Sequence, residues 1–77
     1  MYIKESETAY RVYWEDNHGA ESTIHTSGFN VEDTVQETVE YIRKRLYMDA
    51  FSIVGVDQWV GKGWEKVPFT RIRCKGR

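Results

Sequence analysis

Cysteine and proline occur once each, as Cys74 and Pro68, in a chain of 77 residues. One thiol excludes an internal disulfide, and small secreted domains usually carry several, so a reducing cytoplasm is the expected setting. Cys74 reads as a small apolar side chain inside the fold rather than a reactive thiol. The two histidines, His18 and His25, and that one cysteine lack the paired short spacings of zinc ligands, and the acidic residues trace no calcium loop. No metal or other cofactor is therefore expected. Long apolar runs are missing as well. Nothing approaches the roughly 18 residues of a membrane span, and the opening stretch from Met1 to Glu7 has no apolar signal core. The expectation is a complete cytoplasmic protein with no membrane partner.

Catalytic signatures are equally scarce. No serine or cysteine stands in a recognisable nucleophile motif. His18 falls in a turn and His25 in a polar strand, where a cross-strand contact explains it better than general-base work. Gly61-Lys62-Gly63 lacks the spacing, the following Ser or Thr and the helix of a phosphate loop, so it reads as a turn. These absences argue against an enzyme and name no catalytic residue.

What the chain does have is a folded composition: 40% hydrophobic residues, 30% charged residues and eleven aromatics. Each large ring can bury on the order of 150–250 Å², which matters because a domain this small buries only about 60–65% of its unfolded surface. One core and one domain over 1–77 are expected.

Tyr10 to Glu15 alternates at period two and predicts a strand with Tyr10, Val12 and Trp14 on the core face. Asp16-Asn17-His18-Gly19 suits a tight reversal, and Glu21 to Thr26 returns as a polar edge strand anchored by Ile24. Asn30 then caps a helix, with Glu32 and Asp33 in its first turn and Arg43, Lys44 and Arg45 at its end. Val31, Val35, Val39, Ile42 and Leu46 form its core stripe, and Asp33, Glu37, Glu40 and Lys44 its outer face. Phe51 to Val56 reads as a central strand, Trp59 to Trp64 as a hairpin connection, and Glu65 to Phe69 as the return, which ends or lies at an edge at Pro68. Thr70 to Lys75 continues it past a bend or forms a fifth strand. The predicted class is α+β, order β-β-α-β-β(-β), a small antiparallel sheet of four or five strands with the helix on one face.

Charge is divided between the halves. Residues 1–40 hold nine acidic and two basic residues, a net −7; residues 41–77 hold three acidic and nine basic, a net +6. Arg71, Arg73, Lys75 and Arg77 alternate, so a strand here would carry a cationic row about 6.6–6.8 Å apart, with Ile72 and Cys74 inward. Such a row could track a phosphate backbone or an acidic protein surface. The competing explanations are a charged edge that prevents aggregation and pairing with Glu5 and Glu7. Of Trp59, Trp64 and Phe69, one is expected to be exposed as an anchor or stacking platform.

These features point to a non-catalytic module that binds a macromolecule, a protein ahead of nucleic acid. A small stand-alone inhibitor or accessory protein fits, of the kind viruses and mobile elements encode against host nucleic-acid machinery. Glu32, Asp33, Glu37 and Glu40 could then imitate nucleic acid towards a basic partner. The alternative is a nucleic-acid-binding domain using Arg71, Arg73, Lys75, Arg77 and the Arg43-Lys44-Arg45 cluster, against which overall acidity counts. Trp59 and Trp64 are candidate anchors in either case. The acidic and basic faces are expected to stay apart in space, open to a partner or to a second copy.

Overall fold

The computed structural model describes residues 7–75. Strands β1 (Thr8–Asp16) and β2 (Glu21–Gly28) precede helix α1 (Val31–Arg45), and β3 (Phe51–Trp59), β4 (Trp64–Lys66) and β5 (Ile72–Cys74) follow. The sheet runs β2-β1-β3-β4, antiparallel throughout, and β5 joins β3 on the same side as β4. This is the predicted α+β architecture with its fifth strand. The edge position of β2 follows from its polar sequence, and the β1–β2 turn from Asp16. The Asp16 carboxylate accepts from His18 N at 2.8 Å and Ala20 N at 3.0 Å, and Gly19 takes φ +87. Those backbone donors hold the Asp16 carboxyl below its usual range.

Tyr10, Val12 and Trp14 face the helix and are buried, joined by Phe51, Ile53, Val56, Cys74 and the helical Val35, Val39 and Ile42. A bulge makes this possible. The β1–β3 register passes from Tyr13↔Gly55 to Trp14↔Ile53, leaving Val54 unpaired. In a regular strand Ile53 and Val56, three positions apart, would point to opposite faces; the bulge brings both to the core.

The helix starts as its sequence predicts, with Asn30 Oδ1 accepting from Asp33 N at 2.8 Å. Its buried stripe differs in two respects. Thr34 and Thr38 are buried alongside Val35, Val39 and Ile42, whereas Leu46, at the C-cap, is exposed. Thr38 satisfies its hydroxyl on Thr34 O at 2.8 Å. Thr34 lies against Gly28 so closely that a Cβ there would stand 2.0 Å from Thr34 Oγ1. Gly28→Ala is therefore expected to destabilise the fold by about 1–3 kcal/mol, as overpacking does. Adding Thr34→Ala should recover most of that in denaturant melts, and a neutral Gly28→Ala would contradict the close contact.

Candidate functional site

The helix covers one face of the sheet, and among the described residues no second helix lies on the other, open face. Side-chain alternation sends Arg11, Tyr13 and Glu15 of β1 to the open face, opposite the core-facing Tyr10, Val12 and Trp14. Register places His25 and Asp57 on either side of Arg11, Thr23 and Gly55 on either side of Tyr13, and Lys66 beside Asp57. Trp59 and Trp64 face each other at the same end.

Asp57 is the anchor. Only 6% exposed, its Oδ2 accepts from Arg11 Nη2 at 2.8 Å and from the Tyr13 hydroxyl at 2.5 Å. Tyr13 reaches it diagonally across Gly55, where even an added Cβ would stand in ordinary contact, 3.7 Å from the ring. The Tyr13 hydrogen bond, with help from Arg11 and Lys66, holds the Asp57 carboxyl below its ordinary range despite burial. The same bond pushes the Tyr13 phenol up. Asp57 is thus kept ionised and capped, which suits an ion-pair anchor and not a proton acceptor.

Arg11, fixed by Asp57, lies 4.3 Å from the centroid of the Trp64 ring. Trp64 meets Trp59 at 5.4 Å and His25 at 6.3 Å, both edge to face. The result is a continuous strip across four strands, His25–Arg11–Trp64–Trp59. A cleft of about 420 Å³ adjoins it, between Tyr13, Asp57, Lys66 and Phe69.

Two tryptophans are exposed where one aromatic was expected: Trp59 at 44% and Trp64 at 37%, with Phe69 half-buried against the core. They stay exposed because the helix lies chiefly over β2, on the opposite face. The same offset explains Ile72. It sits opposite Ile53 on the helix side, yet it is 42% exposed at the sheet margin. Cys74 is buried as expected, and burial pushes its thiol up.

The basic row falls partly on this surface. Arg73 pairs in register with Ser52, on the open-face side. Arg71 forms an ion pair with Glu15. That contact and Arg11–Asp57 join the two charge halves, so these halves are not wholly apart as anticipated. Among the described residues the row does not pair with Glu7: β5 registers with β3, and Glu7 accepts from Ser27 Oγ at 3.4 Å. Glu5 and Arg77 lie outside the described residues. Arg43 Nη2 donates to Lys75 O at 3.4 Å, bringing the Arg43-Lys44-Arg45 cluster beside the end of the row. Lys44 pairs with Glu40 at 3.2 Å, while Glu32, Asp33 and Glu37 remain exposed on the helix.

Arg11, Tyr13, His25 and Asp57 were not marked as functional by sequence. The local signal is Asp57, a carboxylate directly after the predicted central strand Phe51 to Val56; that Arg11 lies beside it follows only from the β1–β3 register. Among the described residues no group of three or more His, Cys, Asp or Glu could hold a metal ion, and no helix is long and apolar enough to cross a membrane. Comparison with protein-family models, with curated proteins and with solved structures finds no match to this chain.

Proposed function

We propose that the protein is a non-catalytic binding module that docks a partner protein on its open sheet face. The carrying observation is the Trp59–Trp64 pair, exposed on the uncovered face and held against Arg11. Trp, Tyr and Arg are the residues that dominate protein interfaces, most of all when rigid and backed by a fixed scaffold. Charge favours protein over nucleic acid. Arg11 is neutralised by Asp57 and Arg71 by Glu15, and Glu21 lies at the same face, so the strip presents no continuous cationic track. An inhibitor or accessory subunit acting in the cytoplasm fits this reading, and the free, buried Cys74 accords with a reducing compartment.

Trp59→Ala/Trp64→Ala should keep the fold, because both side chains are largely outside the core, and should lose partner capture by at least about 2 kcal/mol, a thirtyfold effect. Affinity capture read by mass spectrometry for both protein and nucleic acid, wild type against this variant, tests it. A protein lost from the variant supports the proposal. A single-stranded nucleic acid lost instead moves the assignment to base stacking on the same rings. Unchanged capture by a folded variant sinks both.

A further inference from the structure

The two edges of the sheet are built differently. On one side β4 and β5 are three residues each, separated by a segment containing Pro68 and flanked by Lys66, Arg71 and Arg73. Short strands, proline and cations are how proteins blunt an edge against further pairing. On the other side β2 runs eight residues with no register break against β1. From Ser22 to Gly28 it holds no Asp, Glu, Lys, Arg or Pro, and among the described residues only β1 pairs with it. Its outward backbone groups form a ready template for another strand.

Alongside this edge lies a groove of about 550 Å³ between β2 and the helix, lined by Thr23, Ile24, His25, Glu37, Thr38 and Tyr41. Tyr41 is 48% exposed there. One helical turn either way from Glu37 and Tyr41 extends the row to Asp33 and Arg45. Along the edge the helix thus presents acid, acid, tyrosine, base.

We propose that β2 is a self-association edge, on which a second copy of this chain pairs its own β2 antiparallel across a two-fold axis near Ile24 and His25. The occupant is argued from the order of charge on the helix. Antiparallel pairing places the two-fold normal to the sheet, so both helices lie on one side and also run antiparallel. Asp33 and Glu37 of each copy then approach Arg45 of its mate, and the groove closes over the two Tyr41 rings. An unrelated strand would find the hydrogen bonds but not this complementary charge. The two five-stranded sheets become one, and both Trp59–Trp64 strips face the same side, making the open face bivalent.

Sedimentation velocity on the full chain tests this through two variants, Asp33→Lys/Glu37→Lys and Arg45→Glu, each checked for fold by circular dichroism. Wild type is expected to show a monomer–dimer equilibrium that weakens with salt. Each variant alone should associate at least about tenfold more weakly, because like charges meet twice across the axis. Mixed in equal amounts they should form a heterodimer, since all four approaches become attractive. If Asp33→Lys melts the helix start, Glu37→Lys alone takes its place. A wild type that stays monomeric at every concentration overturns the proposal, as do variants that dimerise like wild type or a mixture that stays monomeric. Amides of β2 that gain exchange protection only when a different protein is added assign the edge to that protein and equally overturn self-pairing. Loss of the dimer leaves capture through Trp59 and Trp64 to be judged by its own variant.

Discussion

Ile42→Ala is expected to lower stability by about 2–5 kcal/mol, the range for a large aliphatic truncated in a core that cannot collapse around the gap. Ile42 is 0% exposed and sits in the one described core cluster with Val12, Phe51, Ile53 and Val39. Among the described residues a single helix covers the apolar face of the sheet, so a defect in the helix stripe is not shared with a second helix there. For a domain of this size each kcal/mol moves Tm by about 4–8 °C, so a fall on the order of 10–20 °C or more should appear in thermal melts. Small domains hold only about 5–15 kcal/mol in total, which makes this substitution one of the most damaging available. Glu37→Ala and Lys44→Ala, on exposed positions of the same helix, should each change stability by under about 0.5 kcal/mol. Comparable losses at Ile42 and Glu37 would mean that the helix face is assigned wrongly.

The helix and β1 are legible in the sequence because their signals are local. Asn30, the acid-to-base gradient and the valine spacing mark the helix, and strict alternation marks β1. Thr34 and Thr38 escape this reading because burial of a threonine depends on what lies opposite, here Gly28 across a close approach and a carbonyl one turn back. The length of β3 escapes for a related reason. Val54 is an extra residue whose only trace is a register shift against a distant strand, and Asp57 reads as a strand terminator until Arg11 and Tyr13 neutralise it. The candidate site shares this non-local origin. Trp59 and Trp64 could be singled out as aromatics in a loop-flanking pair, but their exposure follows from the side of the sheet on which the helix packs. Arg11 gains its role only from Asp57, 46 residues away, a carboxylate that Tyr13 also reaches across a separation of 44 residues.

Asp57→Ala is expected to cost about 2–3 kcal/mol, less than loss of one partner in a fully buried pair because the Arg11 side chain retains 28% exposure. The loss has a pH signature. Asp57 is held below its ordinary value of 3.8 in the folded state, so its contribution is complete above that value and disappears as pH falls through the lower folded value. Wild type should therefore lose stability relative to Asp57→Ala on acidification, and their urea midpoints should converge. Tyr13 gives the opposite limb. Its folded pKa is raised above 10.0, so the unfolded chain releases the phenolic proton first and stability declines as pH rises past that value. Tyr13→Phe should abolish the alkaline decline attributable to this group and, by removing the largest cause of the Asp57 depression, shrink the acid effect as well. A second readout separates site from scaffold. Without its counter-ion Arg11 is no longer fixed beneath Trp64, so partner capture should fall in Asp57→Ala under conditions where the protein remains fully folded. An acid limb identical in wild type and Asp57→Ala would show that the carboxylate does not carry the linkage, and undiminished capture would detach the Asp57 anchor from the docking strip.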